Sequence, residues 1–243
     1  MKKLKNTVLK IINLIFPKVC SLCMRDIREG YSVCPKCLKS LKKIEGLICV
    51  KCGLPLESGG EHCRSCKKNN DHYAFDKLIS PFEYTGGVQK LLHKFKYGGK
   101  HFLSKDLAVQ MYDFIKDNDL YKNADYCIAV PLHFHRRIKR GYNQAELLAK
   151  HLSRFSGVPV LKNVIKRTKR TKAQFLLTRK MRLENIKNSF ALNRSKSLLI
   201  KNKTILLVDD IATTCATINE CAKTLKTARP KKIIVVTVAR DTN

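Results

Sequence analysis

From residue 75 onward, continuous apolar runs alternate with stretches in which apolar residues recur at helical spacing. FDKLISPFEY reads as an edge or packing strand, and helical stretches follow over residues 88–97 and 103–116. Residues 126–130 (YCIAV) read as a strand stopped by Pro131, with Cys127 buried in it. Residues 143–155 (NQAELLAKHLSRF) keep their apolar positions on one helical face, and VPVLKNVI after them reads as a further strand. The clearest runs are TILLV at 204–208 and IIVVTVA at 233–239, with a helix over 216–226 between them. Strand, helix, strand is the crossover unit of a doubly wound sheet, so this region is predicted to be α/β with a mostly parallel sheet.

The N-terminal residues follow a different pattern. Leu4, Val8, Ile11, Ile12 and Ile15 fall at helical spacing, which predicts an amphipathic helix within residues 1–19 that packs on the body of the protein, with membrane-surface binding as the competing reading. Lysines before an apolar stretch imitate an export signal. However, Lys10 interrupts the run, no small-residue cleavage site follows, and Pro17 leads straight into a cysteine motif. A cytoplasmic location is therefore expected. No window approaches the roughly 18 uninterrupted apolar residues of a membrane span.

Eight of the 11 cysteines form C-x-x-C pairs: Cys20/Cys23, Cys34/Cys37, Cys49/Cys52 and Cys63/Cys66. The spacing C-x2-C-x10-C-x2-C occurs twice, an internal duplication in which each copy supplies a complete tetrahedral site. Four thiolates suit zinc, and a disulfide framework would need an oxidising compartment for which the chain carries no export signal. With no open coordination position, each metal would be structural, compensating for the small core of a module spanning residues 20–70. Pairing in chain order is expected, with interleaved pairing as the alternative, and His62 beside Cys63 is read as a bystander.

Length and charge refine this picture. The 243 residues accommodate the small module plus one larger domain over residues 71–243. Net charge is +30, from 49 Lys+Arg against 19 Asp+Glu. Such an excess suits polyanionic partners, either nucleic acid or a highly phosphorylated small molecule. The basic residues run through nearly every segment, so charge alone does not separate a nucleic-acid surface from lysine-rich composition. Phe95, Tyr97 and Phe102, among Lys94, Lys96 and Lys100, are candidates for base stacking or, more ordinarily, for core.

The densest chemistry lies in TILLVDDIATTCATI. A buried strand is expected to end in Asp209 and Asp210, and a hydroxyl-rich loop, Ala212, Thr213, Thr214, Cys215, Ala216 and Thr217, runs into a helix N-terminus. Amide hydrogens at the positive end of a helix, with threonine hydroxyls beside them, cradle a phosphate monoester. The two carboxylates can accept hydrogen bonds from the hydroxyls of a ribose. N-capping by the acidic pair and a simple polar loop is the bland alternative.

VDDIATTCAT is similar to the phosphoribosyl pyrophosphate (PRPP) signature of type I phosphoribosyltransferases. The whole chain resembles the ComF family of competence-associated proteins, through LIFPKVCSLC, CVKCGLPL, FKYGGK, VPLHFHRRIKRGYNQAELLA and RTKAQFLLTRKMRLENIKNSF together with the PRPP loop. That resemblance implies a type I phosphoribosyltransferase-like fold behind a double zinc ribbon, PRPP bound with magnesium, and pyrophosphate held by the turn over residues 132–140. Arg136, Arg137 and Arg140 are its candidate charge partners, since guanidinium binds two oxygens at once. It also implies a loop containing Thr171, Gln174, Arg182 and Asn185 that closes over the reacting centre and excludes water.

Two departures from the family pattern bear on activity. Cys215 stands where the PRPP loop normally has glycine, and the simplest expectation is a small residue in a helix-compatible conformation. Thr213 stands where purine-using relatives carry a carboxylate base, so no general base is evident. The resemblance thus implies phosphoribosyl transfer to an unnamed acceptor together with a role in DNA uptake and natural transformation. The alternative is a competence factor that binds single-stranded DNA and partner proteins and senses PRPP without turnover.

Overall fold

The computed structural model describes residues 19–27, 30–57, 59–68, 73–116, 121–169, 181, 184 and 186–242. The expected N-terminal helix and the loop residues Thr171, Gln174, Arg182 and Asn185 lie outside the described residues.

Two short helices, α1 (Pro35–Lys39) and α2 (Arg64–Lys68), belong to the cysteine-rich region. The larger region then runs β1 (Lys77–Ile79), β2 (Phe82–Glu83), α3 (Gly86–Tyr97), α4 (Leu103–Lys116), β3 (Tyr126–Ala129), α5 (Phe134–Arg140) and α6 (Gln144–Ser156). After these come β4 (Ile165–Arg167), β5 (Phe190–Leu192), α7 (Ser197–Ile200), β6 (Thr204–Ala212), α8 (Ala216–Lys226) and β7 (Lys232–Arg240).

Five strands form one parallel sheet in the order β1, β7, β6, β3, with β2 also pairing with β7. β1 and β2 are two halves of one interrupted edge strand, in register with residues 234–236 and 239–240 of β7. β4 and β5 make a separate antiparallel hairpin. The alternation of side chains along β6 and β7 divides the interior into two cores. Ile205, Leu207, Ile233 and Val235 face α8 (Ile218, Cys221, Ala222, Leu225), whereas Leu206, Val208, Ile234 and Val236 face α3, α4 and α6. Both faces are covered, which is why these strands read as unbroken apolar runs.

Two expectations are corrected. VPVLKNVI does not form a strand over its length: only Val160 bridges to Cys127, and left-handed Asn163 (φ 58°) turns the chain away into the β4–β5 hairpin. β6 does not stop at Val208. Its ladder with β7 continues through Asp209 opposite Thr237 and Ala212 opposite Arg240, so the acidic pair lies within the strand.

Each cysteine-rich copy packs into a different core. Cys20, Val33 and Leu41 join the α3–α4–α6 core, and Cys49, Cys52 and Cys66 join the α8 core. The first copy is held by Asp106 in the first turn of α4, whose Oδ2 accepts from Ser32 N at 2.7 Å and from Val33 N at 3.1 Å. Lys94 Nζ donates to the Ser21 carbonyl at 2.7 Å. The second copy lies along β1, where Leu78 N donates to the Lys51 carbonyl at 2.9 Å. A Cβ at Gly53 (φ +67°) would stand 2.7 Å from the Leu78 carbonyl oxygen, so glycine is what lets this knuckle approach the sheet.

Asp106→Ala leaves two buried amides without their acceptor. It is expected to lower unfolding stability by about 2–4 kcal/mol, read from the urea midpoint at unchanged m.

Candidate functional site: an anion cleft and two thiolate clusters

The C-terminal end of β6 and the start of α8 open into a cleft of about 720 Å³. Asp209 and Asp210 line it, as do Thr213, Thr214, Cys215, Ala216 and Thr217. Two helix N-termini converge here, because Asn143, Gln144 and Ala145 at the start of α6 line the same cleft as the first turn of α8. Each contributes partial positive charge and amide donors.

The opposite wall is basic. Arg136, Lys139 and Arg140 from α5, Arg167 from β4 and Lys96 from α3 face the cleft. Burial, reinforced by the charge of Arg140, works against the ionised Arg136, and burial together with Arg136 pushes Arg167 down to about 10. Desolvated guanidinium groups that repel one another are relieved by a bound anion, and diphosphate oxygens match their forked geometry. Arg140 also donates to Gln144 Oε1 and to the Tyr97 hydroxyl, both at 3.1 Å, and lies over the Tyr97 ring.

The carboxylates differ from one another. Asp210 is buried and pairs with Lys96 Nζ at 2.9 Å, tying α3 to the end of β6. Asp209 accepts from Asp210 N at 2.9 Å. Burial, and then the neighbouring Asp210 charge, raise the Asp209 carboxyl to about 7.

Most of the residues expected from the sequence come together, with three corrections. Arg137 points away from the cleft, exposed, and pairs with Glu146 at 3.4 Å. The physical reason is that residues 132–140 are largely helix: Arg136 and Arg140 share a face at i,i+4 spacing, and Arg137 is a step of about 100° round it. Ala212 is fully buried in the strand and takes part only through its carbonyl. Cys215 adopts φ 59°, ψ 5°, the left-handed region favoured by glycine, and not a helix-compatible conformation, at a strain of about 1–2 kcal/mol. Of the aromatic candidates for stacking, Phe95 is core, whereas Tyr97 and Phe102 are exposed.

The sequence reading missed Arg167 and Gln144 as cleft residues, along with the Lys96–Asp210 pair. Gln144 is 2% exposed, and its Nε2 makes no hydrogen bond, which leaves a donor ready beside the guanidinium groups. Its position directly after the N-cap Asn143 was the one available signal.

The eight paired cysteines form two clusters, Cys20/Cys23/Cys34/Cys37 and Cys49/Cys52/Cys63/Cys66, with all sulfurs of each within 4.8 Å of one another. Pairing therefore follows chain order, and His62 belongs to neither cluster. Amides point at the sulfurs: Cys34 N and Leu22 N donate to Cys20 Sγ at 3.3 and 3.4 Å. Burial opposes ionisation of Cys20 and Cys49, yet backbone N–H donors outweigh it and hold these thiols down at about 6 and 7. Burial and neighbouring sulfurs push Cys37 and Cys52 up to about 12. Such mutual resistance to ionisation is what a tetrahedral dication removes, so the donor set fits structural zinc.

These features define a phosphoribosyltransferase-like domain preceded by a double zinc ribbon. Family models agree: a double zinc ribbon domain matches residues 11–67 and a phosphoribosyl transferase domain matches residues 138–243. The chain belongs to the ComF family of competence proteins. It is 34% identical over 211 residues to competence protein F of Haemophilus influenzae, covering 86% of this chain and 90% of that protein. It is 30% identical to competence protein ComFC of Bacillus subtilis, over 82% of this chain and 80% of that protein. It is also 28% identical to DNA utilization protein YhgH of Shigella flexneri, over 87% and 92% respectively. Among the described residues, no helix is long and apolar enough to cross a membrane.

Metal analysis of protein purified under reducing conditions should give about two zincs per chain, one per tetrathiolate cluster. Asp209 supplies a second prediction. The folded chain retains its proton to about pH 7, whereas the unfolded chain loses it near the ordinary value of 3.8, so stability falls as pH rises between those values. Asp209→Asn should raise the melting temperature at pH 8 and lose that advantage at pH 4.

Proposed function

We propose that the cleft binds PRPP together with magnesium. The 5-phosphate takes the amides and hydroxyls of residues 213–217, the ribose hydroxyls take Asp209 and Asp210, and the diphosphate turns towards Arg136, Arg140 and Arg167. The observation that carries this reading is the placement of two adjacent carboxylates one short loop before a helix N-terminus, on the same cleft as a desolvated guanidinium cluster. Positive charge alone would serve any polyanion, and the acidic pair is what selects a sugar between two phosphate groups.

Within this reading the chain's own groups act by position and charge. Arg136, Arg140 and Arg167 stabilise the leaving pyrophosphate as the bond from C1 to its oxygen breaks and a nitrogen nucleophile bonds to C1. Magnesium, when bound with PRPP, neutralises part of the diphosphate charge through substrate oxygens. Thr213 offers no basic group, so the acceptor's proton leaves to the departing pyrophosphate or to the acceptor's own second basic atom.

In the cell, the ComF membership and the competence and DNA-utilization names of the relatives support a role in handling incoming DNA. The net charge of +30 accords with it. A second reading, PRPP sensing without turnover by a protein that binds single-stranded DNA, is favoured by left-handed Cys215 and by the missing base.

Calorimetry with PRPP and magnesium should give saturable binding that Asp209→Ala combined with Asp210→Ala abolishes; unchanged affinity in the double variant discards the site. Affinity should rise as pH passes through about 7, where Asp209 loses its proton. Pyrophosphate release across a panel of bases, nucleotides and DNA ends separates transfer from sensing, because a blank panel with intact binding selects the sensor.

A further inference from the structure

Arg240, the last residue of β7, is 4% exposed. Its Nε donates to the Cys52 carbonyl at 3.0 Å. Its Nη1 donates to the Ala212 carbonyl at 2.9 Å, to the Asp241 carbonyl at 2.8 Å, and to the Thr213 carbonyl. Cys52 is a ligand of the second tetrathiolate cluster, and the Ala212–Thr213 peptide leads into the anion cradle. One buried side chain thus joins a metal knuckle to the phosphate loop, with backbone carbonyls as acceptors at both ends.

A second observation places the same parts together. Cys49, Cys52 and Cys66 share a core with Ala212, Cys215 and Ala216. Tyr73, 6% exposed and stacked on Phe75 with ring centroids 4.8 Å apart, belongs to that same core. The first cluster packs into the core on the other face of the sheet.

The physical consequence concerns one carbonyl. Burying a guanidinium is costly unless its protons find acceptors in good geometry. The Cys52 carbonyl is placed by its knuckle, and the knuckle is placed by the metal that holds Cys49 and Cys52 against Cys63 and Cys66. Without the metal, nothing ties Cys49 and Cys52 to Cys63 and Cys66, so the knuckle is free to relax and Nε loses a fixed acceptor. The anchor of the Ala212–Thr213 peptide then weakens at the point where the left-handed turn at Cys215 already stores strain.

We propose that Arg240 is a positioning residue that couples the second metal site to the order of residues 212–217, so that metal binding there and anion binding in the cleft favour one another. The coupling is reciprocal, as linkage requires. The identity of the anion rests on the PRPP reading, whereas loop order is measurable without any ligand.

The test is hydrogen exchange, read by mass spectrometry on the zinc-loaded full chain, over peptides covering residues 207–219. Arg240→Met should speed exchange of the 213–217 amides by about tenfold. Cys63→Ser with Cys66→Ser, which removes metal from the second site without touching the Cys52 carbonyl, should do the same. Combining the two should add nothing further, and Arg240→Lys, which keeps the charge but not the fork, should fall between wild type and Arg240→Met. Cys34→Ser with Cys37→Ser should leave these amides unchanged. Additive effects, or equal loosening on loss of the first site, overturn the proposal.

Should Arg240→Met not fold, wild-type protein gives the answer by zinc release to a chelator. PRPP should slow the phase from the second site alone, and slowing of both phases or of neither, with PRPP bound, is fatal to the coupling. Calorimetry keeps the two claims apart. Loss of PRPP binding from the wild type with loop coupling intact discards the ligand, and intact PRPP binding with an indifferent loop discards Arg240.

Discussion

The ladder between β6 and β7 is the constraint on which the molecule depends. It runs through residues 204–212, past the point where the apolar run ends, and it fixes Asp209 opposite Thr237 and Ala212 opposite Arg240. The strand therefore delivers two carboxylates at a set height above the sheet, and the chain has only residues 213–215 in which to reach the first turn of α8. A left-handed residue within that loop is the geometric price of so tight a connection. The same register places Arg240 beside the Ala212 carbonyl, so the sheet positions the far side of the loop as well as the near side.

Much of this was legible in the sequence, for identifiable reasons. Leu103–Lys116 and Ala216–Lys226 were read at their observed bounds, because their apolar positions keep helical spacing between clear breaks. The central strands stood out because a parallel sheet covered on both faces needs apolar side chains in both directions. Cysteine spacing disclosed two tetrathiolate sites but left interleaved pairing open, and it is the fold that groups the sulfurs in chain order.

What escaped was decided at long range. The strand expected over residues 158–165 fails at Asn163, where a positive φ turns the chain into a hairpin whose other half lies some twenty residues on. Arg137 was grouped with Arg136 and Arg140 because residues 132–140 were read as a turn; as a helix, the same residues face different ways. Lys96 and Arg167 are two among 49 basic residues, and nothing local marks them as those that reach Asp210 or the anion cleft.

The interrupted edge strand bears on how the sheet avoids pairing with another chain. A bare parallel edge invites another chain to add a strand, the first step towards runaway association. Here both halves are already occupied. Lys43 bridges to Phe82, the Pro81 carbonyl accepts from Ile44, and Leu78 donates to Lys51, so the second cysteine-rich copy and the segment that joins it to the first act as bumpers along that border. Stripping the thiolates of their ions would accordingly do more than loosen two knuckles: it would unshield a sheet margin to which a further strand could add.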